Sequence, residues 1–172
     1  TYWHENGQKE VEGNHEDGKR EGLWTGWHEN GQKRSEINYK DGEKEGTYVF
    51  WYNDGQKSEK GNWKDGWRDG LWTSWYENSW RYENGRKKQE GHYKNGKEVG
   101  RWTSWHENGQ KKGEGNHKDG KLVGRWTHWY WGGQKEVESH YKDGERDGKR
   151  TYWDREGNIT STETFKNGKF VK

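Results

Sequence analysis

Cysteine, proline and methionine are absent from all 172 residues. Without cysteine there is no disulfide, no thiol chemistry and no cysteine metal site, and the redox compartment stays open. Aliphatic side chains are scarce. Only 23% of the chain is apolar, and aromatic residues alone make up 16%. A globule with a thick aliphatic centre is therefore excluded. A thin structure, in which each unit packs on its neighbours, fits better. No block of like charge occurs; the formal net charge is +2 with both signs interspersed. That excludes the basic stripe of a dedicated nucleic-acid binder. No apolar run reaches membrane-spanning length, and the sequence given contains no signal-peptide pattern. Peripheral membrane contact stays open, as does placement between the cytoplasm and secretion or a cell surface. Thr1 opens the chain where other repeats are mid-strand, which reads as a processed or truncated start.

Charged residues make up 36% of the chain, a proportion that alone would suggest disorder. The 15 Trp and 10 Tyr argue otherwise, because disordered chains are poor in aromatics. The glycines also fall at fixed intervals. Gly7, Gly31, Gly55, Gly85, Gly109, Gly133 and Gly157 are 24 residues apart, except for one step of 30. Gly18, Gly42, Gly66, Gly96, Gly120, Gly144 and Gly168 keep the same rhythm, as do Gly22, Gly46, Gly70, Gly100, Gly124 and Gly148. Such a period marks a repeat array. The unit reads G-x-W-T-x-W-H/Y-E-N-G-Q-K-x-x-E-G-x-Y-K-D-G-K-x-E. The long step is a six-residue insertion within 76–84, around Trp80, where Tyr-Glu-Asn occurs twice.

Each unit reads as two short strands. Asn-Gly at 6–7, 30–31, 84–85 and 108–109 and Asp-Gly at 54–55 predict two-residue type I′ hairpin turns, with φ > 0 at both central positions. Asp-Gly or Asn-Gly at 17–18, 41–42, 65–66, 95–96, 119–120, 143–144 and 167–168 predicts the return turns. No segment has helical period. About seven hairpins would give about 14 antiparallel strands, an elongated single layer on the order of 65 Å long at ~4.8 Å per strand. The fold class expected is thus all-β, within one repeat domain spanning 1–172. The β-branched stretch Ile159 to Phe165, followed by Phe170 and Val171, marks 151–172 as an atypical capping unit.

A two-residue turn at Asn30-Gly31 would pair Glu29 with Gln32 and Trp27 with Arg34. Trp24 would then face Ile37, a position held by Gly13, Gly61, Gly91 and Gly115 in other units, so that an indole would shield bare backbone. Alternation puts Trp24, His28 and Tyr39 on one face and Trp27, Glu36 and Asn38 on the other. Two aromatic ladders result, each with a step of two strands, ~9.6 Å. One is Trp3, Trp27, Trp51, Trp75, Trp105, Trp129 and Trp153; the other is Trp24, Tyr48, Trp72, Trp102 and Trp126, then Arg150.

These residues resemble the MORN repeat in its bacterial variant form, an antitoxin-like repeat family. The signature is carried by Trp105-His106-Glu107-Asn108-Gly109-Gln110-Lys111 followed by Gly115-Asn116-His117-Lys118-Asp119-Gly120-Lys121. The resemblance spans essentially the whole chain. It implies an elongated, twisted sheet of hairpins used for protein contact and scaffolding, with lipid-headgroup binding in some members and antitoxin roles among bacterial variants.

Four groups of residues are candidates for chemistry. His4, His28 and His106 share one repeat position with Tyr52 and Tyr130. A ~9.6 Å step cannot place two of them on one metal ion, so stacking is the expected role. Glu12, Glu36, Glu90, Glu114 and Glu138 form a column, but a flat sheet gives no cleft for acid–base catalysis. Lysine columns run through Lys40, Lys64, Lys94, Lys118, Lys142 and Lys166 and through Lys9, Lys33, Lys57, Lys87, Lys111 and Lys135; neighbouring acids offset them. The aromatic ladders remain. Both cannot be buried in one sheet unless something covers one of them, and an exposed aromatic row marks an interaction surface.

The sequence therefore reads as a non-enzymatic scaffold with no cofactor and no metal. It would bind a protein partner, or a second copy of itself, through Trp27, Trp51, Trp75, Trp105, Trp129 and Trp153. Trp24, Trp72, Trp102 and Trp126 form the second candidate ladder. Trp80 and Trp131 break the repetition and would help set register on a partner. A toxin partner and a saccharide stacked on the indoles are the alternatives.

Overall fold

The computed structural model describes residues 1–78 and 85–171, so the expectations for Trp80, for the second Tyr-Glu-Asn and for the 84–85 turn lie outside the described residues. Every regular element among the described residues is a β-strand. Two compact units are present. The first spans Thr1–Arg86 with Tyr93–Gly96. It holds β1 (Tyr2–Trp3), β2 (Lys9–Glu16), β3 (Lys19–Trp27), β4 (Lys33–Lys40), β5 (Glu43–Trp51), β6 (Lys57–Lys64) and β7 (Trp67–Trp75). β8 (Lys87–Lys94) divides at His92 between the units. The second spans Lys87–His92 with Lys97–Lys172. It contains β9 (Lys97–Trp105), β10 (Lys111–Lys118), β11 (Lys121–Trp129), β12 (Lys135–Lys142), β13 (Glu145–Trp153), β14 (Ile159–Lys166) and β15 (Lys169–Phe170). Strand order in the open sheet follows the chain from β1 to β15 without a crossover.

The two turn series differ in kind. At the return turns both central residues have positive φ, as at Asp41 (52°) and Gly42 (88°), which is the type I′ geometry expected. At the Asn-Gly turns only the glycine does, as at Gly31 (82°). The hydrogen bonds there are Gly31 N to His28 O, 2.9 Å, and His28 N to Gln32 O, 2.8 Å. This is a three-residue loop, a type I turn followed by a left-handed glycine. The type I′ reading of these turns is therefore corrected. Asparagine is there for its side chain: Asn30 Oδ1 accepts from Gln32 N at 3.0 Å, and Asn30 Nδ2 donates to Asn53 O of the next repeat at 2.7 Å.

The longer loop shifts the register. Trp27 pairs with Lys33, not Arg34, and Gly26 with Ser35. Arg34 is the extra residue of a bulge, which restores the expected pairing of Trp24 with Ile37. The bulge also brings Lys33 and Glu36 to one face, where they form an ion pair although three residues apart. In a regular strand they would point to opposite faces.

The core is a herringbone of aromatic rings on the Trp24 face of each unit. In the first unit Trp24 meets His15 edge-on at 4.9 Å and Tyr39 at 6.1 Å. Trp72 meets Trp63 at 5.8 Å and Tyr93 at 5.7 Å. Arginines fill the gaps: Arg20 lies 4.4 Å from the Trp24 ring, and Arg68 lies 4.2 Å from Trp72. In the second unit His117 takes the bridging place between Trp102, 5.8 Å, and Trp126, 5.1 Å. Trp24, Trp72 and Trp102 are only 3–5% exposed. Burying an indole of this size contributes roughly 4–6 kcal/mol as an upper bound, so a few rings replace an aliphatic centre.

Glycine is required beneath these rings. A β-carbon on Gly13 would lie 2.3 Å from Trp24, on Gly61 2.2 Å from Trp72, on Gly91 2.0 Å from Trp102 and on Gly115 2.2 Å from Trp126. A shielded cross-strand glycine was expected, but it lies on the strand before each tryptophan, not on the strand after it. Trp102 also pairs in register with Gly115, yet its ring covers Gly91.

Candidate interaction face

The opposite face carries the Trp27 column. Trp27, Trp51 and Trp75 in the first unit, and Trp105, Trp129 and Trp153 in the second, are all partly exposed; Trp3 is 58% exposed. The bulge described above places a lysine beside the indole. Lys9 Nζ lies 5.7 Å from the Trp27 ring, Lys87 5.8 Å from Trp105, Lys111 5.7 Å from Trp129 and Lys135 5.3 Å from Trp153. Cation–π attraction of this kind is worth about 0.5–1 kcal/mol at exposed sites.

Each of these lysines also pairs with the glutamate three residues on. Lys9–Glu12 is 2.9 Å, Lys87–Glu90 2.5 Å, Lys111–Glu114 2.7 Å and Lys135–Glu138 3.0 Å. Lys60 stands where Glu12, Glu36, Glu90, Glu114 and Glu138 fall in other repeats, and Thr162 takes the place in the last one, so the carboxylate column is interrupted. Burial works against ionisation of Glu114, but hydrogen bonds from Lys111 and Arg101 outweigh it and hold the carboxyl below its usual range. Glu138 is lowered in the same way, by Lys135 against burial. Across the strands they pair with threonines, Glu114 with Thr127 and Glu138 with Thr127 and Thr151, and both of these threonines are buried.

His4, His28 and His106 do not stack on the core. Their Nε2 atoms sit 3.0, 2.9 and 2.9 Å from the carbonyls of Trp27, Trp51 and Trp129, one repeat ahead. Tyr52 and Tyr130 donate to Trp75 and Trp153 in the same way, each at 2.9 Å. This position therefore ties each repeat to the next, and a Nε2–H imidazole and a phenol both serve. No group of three or more His, Asp or Glu that could hold a metal ion lies among the described residues. Trp131 is 47% exposed, with its ring 5.3 Å from His106. The second candidate ladder lies largely within the core: Trp24, Tyr48, Trp72 and Trp102 are buried, and Trp126 is partly so.

Sequence reading missed a column on the Trp27 face. It runs Leu23, Thr47 and Leu71 in the first unit and Arg101, Arg125 and Lys149 in the second. Leu23 and Leu71 are 51% and 47% exposed, and the Arg101 side chain 64%. Trp67, 62% exposed where other repeats carry Lys or Glu, was missed as well. Aligning the repeats position by position exposes both.

The repeat sequence, the paired turns and the hairpin-to-hairpin order all point one way, and the sequence pattern of the MORN repeat variant matches at 20–41, 44–65, 79–95, 98–119 and 146–167. The chain belongs to the MORN repeat variant family. No curated protein matches it. As a MORN repeat array it is a repeat scaffold. No helix among the described residues is long and apolar enough to cross a membrane.

Proposed function

We propose that this MORN-variant chain is a non-enzymatic scaffold that docks a protein partner on its Trp27 face. One observation carries the reading. The core column tolerates substitution, with Tyr48 and Arg150 standing where other repeats have tryptophan, whereas the Trp27 position holds tryptophan in every repeat while staying partly exposed. Stability alone would select the reverse. Indoles repeated on an accessible face are suited to hot-spot contact.

The lysine beside Trp27, Trp105, Trp129 and Trp153 occupies part of the space around each ring. That favours a polypeptide, which can meet both ring and ammonium, over a saccharide that needs an open ring face. A toxin partner, as the resemblance implies, would be one case of this docking. A second copy of the chain is the competing occupant, and light scattering at several concentrations separates the two. The docking reading predicts a monomer that selects peptides from a displayed random library, with selection lost in Trp105→Ala/Trp129→Ala. A dimer or polymer broken by the same pair would make the face an assembly surface. Binders indifferent to the pair would defeat the reading.

A further inference from the structure

The second unit differs from the first on this face in a way that specifies a partner. Its outer column is Arg101, Arg125 and Lys149, where the first unit has Leu23, Thr47 and Leu71. Two positions earlier the change is opposite in sign. Glu21, Glu45 and Asp69 of the first unit accept from the backbone N–H groups of Asp41, Asp65 and Asn95. Val99 and Val123 replace them in the second unit, and only Asp147 remains. Positive charge is added where carboxylates are withdrawn.

Local pairing does not consume that charge. Glu114 is shared by Arg101 at 2.5 Å and Lys111 at 2.7 Å, two cations on one carboxylate. Glu138 pairs with Lys135 and is also held down by the charge of nearby Arg125, again two cations on one carboxylate, while among the described residues Arg125 and Lys149 make no salt bridge of their own. A groove of about 450 Å³ is lined by Arg101, Arg125, Lys135, Glu114 and Glu138, with Trp129 and Asn116 on its walls, and Lys149 continues the cation column beyond it.

We infer, resting on the docking reading above, that this groove takes an acidic polypeptide in the polyproline II conformation with a carboxylate at every third residue. The cations recur every two strands, about 9.6 Å. A polyproline II helix makes one turn in three residues, about 9.3 Å, so every third side chain returns to the same face in step with the column. A β-strand turns its third side chain to the opposite face. An α-helix needs seven residues and about 10.5 Å. Aromatic-lined grooves are the usual receptors for polyproline II segments, and Trp129 lines this groove together with Arg101 and Arg125. Glu114 and Glu138 stand between the cations and repel a uniformly anionic polymer, whereas a polypeptide offers N–H donors next to each carboxylate.

The test uses the whole chain and labelled peptides read by fluorescence anisotropy. A six-repeat Pro-Pro-Glu peptide should bind about tenfold or more tightly than a six-repeat Pro-Pro-Pro-Glu peptide of equal charge. Arg101→Glu with Arg125→Glu should abolish that preference, and the milder Arg125→Gln should weaken it, while Leu23→Ala with Leu71→Ala leaves it intact. Equal binding of the two peptides, tighter binding of polygalacturonate or oligo-dT, or no binding of any of them overturns the inference. If Trp105- and Trp129-dependent peptides still emerge from the random library, the docking reading survives that loss; if none do, both fall.

Discussion

The indole of Trp72 occupies the space that a β-carbon on Gly61 would need, 2.2 Å from the position of that carbon. The same relation links Gly13 to Trp24, Gly91 to Trp102 and Gly115 to Trp126. Where the ring is not tryptophan, the glycine is gone. Ile37 pairs with Tyr48, and Ser139 with Arg150. Gly61→Ala should therefore destabilise the chain by about 2–3 kcal/mol through overpacking, although its backbone is unstrained. Gly115→Ser should behave likewise, and adding Trp126→Arg should recover part of the loss. Urea unfolding of the two singles and the double gives the coupling; additive costs would contradict a steric origin.

The ties between repeats offer a second measurement. The Tyr52 hydroxyl donates to the Trp75 carbonyl, and His28 meets the carbonyl of Trp51. Tyr52→Phe removes one bond and leaves its acceptor partly buried, at a cost of about 1 kcal/mol. Hydrogen exchange should speed up around the 52–56 turn and in β7, and remain unchanged in the second unit. Uniform acceleration over the whole chain would mean that the repeats open together and that this tie has no local role.

Much of this was legible in the sequence, for a physical reason. A hairpin array makes each unit solve the same problem, so period, strand order and the two faces can be read from spacing alone. The errors came where a side chain does a backbone's work. Asn30-Gly31 has the residues of a type I′ turn, yet Asn30 serves by hydrogen bonding and only Gly31 adopts positive φ. The resulting three-residue loop and its bulge set Lys33, not Arg34, opposite Trp27. The candidate face was partly legible too. Its tryptophans stood out by repetition, but Arg101, Arg125 and Lys149 did not, because their meaning lies in a difference between units and not in the repeat.

Acid should weaken the second unit in two windows. His117 has its Nε2 3.2 Å from Glu98, a side chain only 11% exposed and a buried Nδ1 with no hydrogen-bond partner among the described residues. Burial pushes its pKa below 6.5 and outweighs the opposing pull of Glu98. The folded state then binds fewer protons than the unfolded one, so this stability is complete above pH 6.5 and is lost as the pH falls below it. Glu114 and Glu138 are depressed as well, and their share is present above pH 4.5 and lost below it. His117→Tyr, the residue found at 141, should flatten the upper window and leave the lower one. Urea midpoints between pH 8 and pH 3 would show this; an unchanged slope in the variant would clear His117 of the effect.

Two tryptophans of the second unit, Trp102 on β9 and Trp129 on β11, separate stability from binding. Trp102 is 5% exposed and packs on Gly91 and His117; Trp129 is partly exposed with Lys111 beside its ring. Trp102→Ala opens a cavity in the ring stack and should cost about 3–5 kcal/mol. Trp129→Ala loses partial burial and one cation–π contact, and should cost about 1–2 kcal/mol. Binding of a selected peptide should run the other way. Trp129→Ala should lose it while still folded, and Trp102→Ala should retain it under conditions where the chain remains folded. Urea unfolding and anisotropy on the same two proteins decide the matter. Equal stability losses would mean that the Trp27 face is as structural as the core, and an interaction role for it would then have no energetic basis.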